Sequence, residues 1–261
     1  MESKMKKHFV LVHGAGHGAW CWFKLVPLLE SAGHKVTALD LAASGINSKQ
    51  LEDIGSFSDY VQPLLKFLAS LPQDEKLILV GHSFGGYCIS LAMENFPEKI
   101  LVAVFVSAFM PNHASPQTSD LLQELNKRST NNSYLDCKFS VMEGTEKPTT
   151  CMSFGPLFLA RIYQNCLPED LELAKMLVRP LGLFRLSDKD SVLTKGNFGS
   201  ANRVFVVCGE DASINEEFQR WMIENSPPNE VKYISEAGHM VMLSKPEQLC
   251  QCLLEIVDNY Q

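Results

Sequence analysis

The chain has 261 residues, of which 46% are hydrophobic and 20% charged, enough to bury a sizeable core in one domain without a metal, a disulfide framework or a partner. Its net charge of −7, with no clustered Lys and Arg, excludes a broad nucleic-acid footprint. The charged start Met1–Lys7 runs into the short apolar stretch His8–Val12, which has the wrong length and flanks for a signal peptide or membrane anchor, so a cytoplasmic, membrane-free protein is expected.

Strand-length apolar runs alternate with longer amphipathic stretches along the chain, the pattern of parallel βαβ units packed on one sheet. Strands are predicted at His8–His13, Lys35–Leu39, Lys76–Gly81, Leu101–Ser107, Arg203–Cys208 and Val231–Ile234. Helices are predicted at Trp20–Ser31, Phe57–Leu71, Phe84–Asn95, Glu216–Asn225 and Pro246–Asn259. The strands are nearly all apolar, as expected when helices cover both faces of a parallel sheet. Between about Pro111 and Arg185 the rhythm breaks into a loop-rich insertion with short helical patterns such as Pro168–Val178. An insertion leaving the carboxyl end of a central strand lies over the ligand crevice, so a cap at 111–185 is expected on a core of 1–110 and 186–261. The eight cysteines show no framework spacing and read as reduced, mostly buried thiols.

Gly81-His82-Ser83-Phe84-Gly85-Gly86 follows a predicted strand and opens a predicted helix, the context in which Gly-x-Ser-x-Gly becomes a nucleophile turn. The glycines let the backbone close tightly while Ser83 points into the crevice. A serine hydroxyl needs a base, and the base an orienting carboxylate. Glu210-Asp211 and Gly238-His239 both follow strands on the same carboxyl edge as Ser83, in the chain order Ser, Asp, His expected of an α/β-hydrolase fold. Asp211 is preferred over Glu210 for the carboxylate and His239 for the base; His34 in a turn, His113 in the insertion and His82, expected to point away, are weaker candidates. Acyl transfer also needs two N–H donors for the oxyanion, one just after the nucleophile and one from a neighbouring loop. Phe84 and Ala15 are the candidates, the latter in the glycine-rich loop His13–Trp20. That loop lacks the spacing of a phosphate cradle or dinucleotide fingerprint. No cofactor and no metal is called for.

At these motifs, and at Gly33–Gly45, Glu172–Pro180, Glu217–Trp221 and His239-Met240, the sequence resembles the plant methylesterase and hydroxynitrile lyase family of α/β-hydrolases, above all its salicylate-binding methylesterases and polyneuridine aldehyde esterase. The resemblance spans nearly the whole chain. It implies cofactor-free hydrolysis of the methyl ester of a small metabolite, a hormone ester such as methyl salicylate, jasmonate or indoleacetate, or an indole alkaloid ester whose acid then decarboxylates. It also implies Ser83, Asp211 and His239 as triad, Ala15 and Phe84 as oxyanion donors, and Gly14, His17, Tyr87 and Met240 in the substrate pocket, with the aromatic and methionine side chains Met142, Met152, Phe154, Phe158 and Tyr163 above it. The sequence departs from the family at Gly16, where Cys is expected, and at Tyr87, where Met or Leu is usual. The lyase branch carries Thr where this chain has Gly14 and Lys where it has Met240, so a hydroxynitrile lyase is the second reading. A third is a binding protein for the free acid with a vestigial triad. The partner expected is a small-molecule ester, with a homodimer as the default assembly.

Overall fold

In the computed structural model, residues 6–114, 118–128, 134–142, 149–184 and 192–260 are described. Six parallel strands form the central sheet: β1 (His8–Val12), β2 (Lys35–Leu39), β3 (Leu77–His82), β4 (Ile100–Val106), and two more after the insertion, Arg203–Cys208 and Glu230–Ile234. Their order is β2-β1-β3-β4 followed by those two, with in-register pairing such as Leu11 with Ala38 and Val104 with Val204. All four inner strands are buried almost throughout, whereas both edge strands are partly exposed.

Alternation along each strand divides the core into two layers. Phe9 and Leu11 point to one face of β1, where they meet Leu25 and Leu29 of α1 (Leu25–Ser31) and Leu249, Leu253 and Ile256 of the C-terminal helix Pro246–Asn259. Val10 and Val12 point to the other face, packed with Tyr60, Val61 and Leu64 of α2 (Phe57–Ser70), Cys88 and Ile89 of α3 (Gly85–Asn95), and Phe218 and Met222 of the helix Glu216–Asn225. Helix starts follow local chemistry: Ser56 accepts from the Asp59 amide and Asn215 from the Phe218 amide, each capping an otherwise unpaired donor. The expected helix Trp20–Ser31 is broken into a short 3-10 turn, Ala19–Trp22, and α1. Pro27 has no N–H to give to the carbonyl four residues back, so it is tolerated only in a first turn and the α-helix starts just before it.

Between β4 and Arg203 the chain forms α4 (Thr118–Arg128), β5 (Lys138–Met142), β6 (Thr149–Ser153), α5 (Pro156–Ile162), α6 (Pro168–Leu177) and β7 (Leu181–Leu183). The three strands make a separate antiparallel sheet in the order β5-β6-β7, a feature absent from the sequence expectation of loops and short helices. The expected end of the insertion at residue 185 lies outside the described residues, and so does the Met142 side chain. The remaining elements are β8 (Arg203–Cys208), α7 (Glu216–Asn225), β9 (Glu230–Ile234), α8 (Val241–Ser244) and α9 (Pro246–Asn259). All eight cysteines are free thiols, six of them buried in the two core layers just described and the other two, Cys137 and Cys166, packed beside them. None of the described helices is long and apolar enough to cross a membrane.

Candidate active site

The carboxyl ends of β1, β3, β4, β8 and β9 converge on one edge of the sheet, and the loops leaving them carry the polar side chains of the site. Ser83 sits between β3 and α3 with φ of +53°, a left-handed conformation that costs a non-glycine residue about 1–2 kcal/mol. The turn is held by the Ser83 amide donating to Val106 and the Phe109 amide donating to the Ser83 carbonyl. Gly85 makes this closeness possible. A Cβ there would stand 2.7 Å from the carbonyl oxygens of both Val12 and His13.

The His239 ring donates from Nδ1 to Asp211 Oδ2 at 2.7 Å, and both side chains are buried. The carboxylate is saturated: Oδ1 accepts the Ser213 and Ile214 amides at 2.7 and 2.8 Å, and Oδ2 also accepts the Ser107 hydroxyl at 2.5 Å. Four donors fix its direction. Glu210, the rival acid, is exposed and accepts instead from Asn165 in the insertion. Ser107 was missed from the sequence because it becomes a neighbour of Asp211 only through the pairing of β4 with β8, which no local pattern encodes.

His82 does not point away as expected. Its ring stands 4.7 Å from that of His239, centroid to centroid, and its Nε2–H donates to the His239 carbonyl at 2.8 Å. Burial pushes its pKa well below the usual value, so the ring is neutral and acts as a brace for the His239 backbone. His34 is buried at the opposite end of the sheet, beside Lys7 and Phe9, and His113 does not line the site.

Ser83 and His239 share the wall of a cavity of about 110 Å³ with Gly14, Ala15, His17, His82 and Phe84. Most of the rest of the wall is apolar, with Phe109 and Ile214 and, from the insertion, Leu122, Met152, Phe154 and Phe158 among its residues; Ser213 and Tyr134 add the remaining hydroxyls. The amides of Ala15 and Phe84 make no hydrogen bond among the described residues, and Phe84 is the N-cap of α3. Two unused donors beside a buried serine can receive negative charge developing on a carbonyl oxygen. No hydrogen bond joins Ser83 to the His239 ring in this conformation; such bonds often form only with substrate in place.

Two expected pocket residues lie elsewhere. Tyr87 is behind the wall, stacked on Phe109 at 4.8 Å and edge-on to Phe84, because it sits inside the first turn of α3 rather than at its exposed start. Met240 is 1% exposed in the core layer under α1, since the chain turns into α8 immediately after His239 and swings its side chain away from the cavity. Gly16 adopts φ of +68°, and a Cβ there would come within 2.7 Å of the Phe154 ring, so Phe154 occupies the space a larger residue would need. Among the described residues, no group of side chains is arranged to hold a metal ion.

A doubly covered parallel sheet with Ser83, His239 and Asp211 at its carboxyl edge defines a hydrolase class, and the chain belongs to the family described as the alpha/beta hydrolase fold, whose profile matches residues 7–246. It is similar to salicylic acid-binding protein 2 of Nicotiana tabacum, 51% identical over 259 residues, 98% of this chain and 99% of that one. It is also similar to norfluorocurarine synthase 1 of Strychnos nux-vomica, 49% identical over 262 residues, 99% and 98% of the two chains. The crystal structure of polyneuridine aldehyde esterase superposes with a TM-score of 0.93 at 49% identity, covering 97% of this chain and all of that one.

Proposed function

We propose that the protein is a cofactor-free serine esterase that hydrolyses the methyl ester of a small, largely apolar plant metabolite. One observation carries the reading: Ser83, the Asp211-bound ring of His239 and the two unused amides of Ala15 and Phe84 open into the same apolar cavity. In this mechanism His239 takes the Ser83 proton as the hydroxyl oxygen attacks the ester carbonyl. The oxyanion rests on the Ala15 and Phe84 amides, and methanol leaves with the proton from His239. Water, activated by the same ring, then releases the acid and restores Ser83. The segment 111–185 is assigned as the cap that shapes the acyl side of the ester.

The alternatives lack their chemical groups. A binding protein for the free acid would gain most from a cation at the carboxylate, and no Lys or Arg lines the cavity among the described residues. A cyanohydrin lyase needs a cation for cyanide beside the base and a further hydroxyl. Met240 supplies no cation, and a Cβ at Gly14 would already stand 3.0 Å from that of Ser83. Similarity to proteins named methyl jasmonate esterase 1 and polyneuridine aldehyde esterase supports either a hormone ester or an alkaloid ester as the substrate. An alkaloid ester with a carbonyl or imine β to the acid would lose carbon dioxide after hydrolysis without another catalytic residue. Free thiols throughout suit the cytoplasm, and a homodimer is the assembly to expect in solution.

The test is a turnover screen of methyl salicylate, methyl jasmonate, methyl indoleacetate and polycyclic alkaloid methyl esters, with products identified by mass. Ser83→Ala should lower turnover by roughly 10³-fold or more while the protein stays folded. Near-normal hydrolysis by Ser83→Ala would sink the mechanism.

A further inference from the structure

The oxyanion loop is held at two points, and the two holds come from different parts of the chain. The peptide groups on either side of the Ala15 Cα each accept a hydrogen bond from a histidine. His13 Nδ1–H donates to the Gly14 carbonyl at 2.8 Å, and His17 Nδ1–H donates to the Ala15 carbonyl at 2.7 Å. Both rings are buried and both have pKa values lowered by burial, that of His17 to about 3, so each ring is neutral and its Nε2 is an acceptor. His13 Nε2 accepts the Leu41 amide at 3.1 Å, an anchor in the core. His17 Nε2 accepts the Tyr163 hydroxyl at 2.9 Å, an anchor at the end of α5 in the cap.

We propose that Tyr163 is a positioning residue for the oxyanion hole: its hydroxyl holds His17 in the tautomer whose Nδ1–H fixes the Ala15 carbonyl, and so links the seating of the cap to the aim of the Ala15 amide. The proposal rests on the esterase reading above. Without the Tyr163 donor, the neutral ring of His17 is free to place its proton on Nε2, and its Nδ1 lone pair then faces the Ala15 carbonyl lone pairs. That contact is repulsive, so the ring turns and the Ala15–Gly16 peptide is released, leaving the Ala15 amide held from the His13 side alone.

The surroundings support a coupling rather than a lone contact. The His17 ring stacks on Trp20 at 5.2 Å and on Tyr163 at 5.9 Å, which keeps it in one plane. The Arg179 amide, just ahead of β7, donates to the Gly16 carbonyl at 2.9 Å. The Arg179 guanidinium reaches across to the carbonyls of Asn47 and Lys49 at 2.9 and 3.1 Å, tying this base of the cap to a core loop. Phe154 lies against Gly16 from above. Cap residues thus touch two consecutive positions, Gly16 and His17, immediately after the oxyanion donor.

Tyr163→Phe keeps the ring and deletes the donor, and three readouts separate positioning from packing. With para-nitrophenyl acetate, kcat should fall about tenfold, less than the ~10²–10³ lost when a donor is removed outright, with KM little changed. Trifluoroacetophenone, which forms a tetrahedral adduct with the serine and needs the oxyanion hole, should bind about tenfold more weakly, whereas acetophenone, of the same shape but unreactive, should bind as before. In a His17→Leu background, adding Tyr163→Phe should lower kcat no further. Unchanged affinity for trifluoroacetophenone, equal weakening for acetophenone, or a further loss in the double variant overturns the proposal. If Tyr163→Phe does not fold, His17→Leu alone carries the test through the same kcat and trifluoroacetophenone comparison. Hydrolysis by Ser83→Ala would overturn the esterase reading itself. An inactive Ser83→Ala alongside a Tyr163→Phe enzyme that behaves as wild type overturns only the coupling.

Discussion

At Ser83 the protein accepts local strain to expose a hydroxyl. Its left-handed backbone is one that glycine adopts freely and serine or alanine does not. Ser83→Gly, equally inactive, should therefore unfold at a higher temperature than Ser83→Ala. Relief of about 1–2 kcal/mol of strain, less about 0.5–1 kcal/mol of added backbone entropy, leaves a gain of roughly 2 °C by calorimetry. Ser107 works at one remove, through Asp211. Removing its hydrogen bond in Ser107→Ala loosens one of four holds on the carboxylate, and kcat should drop about tenfold with KM unchanged, within the ~1.5–3 kcal/mol of a hydrogen bond to a charged group. Ser83, Asp211 and His239 were legible because each follows a strand by a few residues and glycines mark the turns. Ser107, His13 and Tyr163 were not. Each acts through a partner about 100 residues distant or through a ring tautomer, neither of which leaves a trace in local spacing.

Among the elements, the four inner parallel strands were legible nearly to the residue because burial on both faces removes polar positions from them. The antiparallel sheet β5-β6-β7 was not. Its strands are three to five residues long and partly exposed, so alternation has too few positions to stand out. Helix α1 was misread for a different reason: the apolar spacing continues through Trp20–Trp22, but Pro27 forbids the backbone that spacing implies. The packing of α3 on β1 gives the sharpest prediction at this scale. Since a methyl group at residue 85 meets two backbone carbonyls that cannot move independently of the sheet, Gly85→Ala should destabilise the protein by about 1–3 kcal/mol in urea unfolding and displace Ser83 enough to depress activity further than stability.

Across the whole molecule, the buried histidines set the response to acid. Burial lowers the folded pKa of His8, His13, His17 and His82 below 6.5, so each is neutral in the folded chain and protonates first in the unfolded one. Their contribution is fully present above about pH 6.5 and is lost as pH falls towards the folded values, near 3 for His17. Urea midpoints measured from pH 7.5 down to 5 should fall, with a limiting slope of about 1.4 kcal/mol per pH unit for each histidine that stays neutral when folded. A flat profile across that range would show that these rings are not held neutral.

The apolar wall of the cavity also sorts molecules by ionisation. Ester and acid share one carbon skeleton and differ little in shape, yet one enters uncharged and the other is formed as an anion among Phe84, Phe109, Phe154 and Ile214. Beyond the Ala15 and Phe84 amides and the His239 ring, the walls named here offer the anion no charged partner, so added acid should inhibit hydrolysis of its own ester only weakly, which product-inhibition kinetics would read.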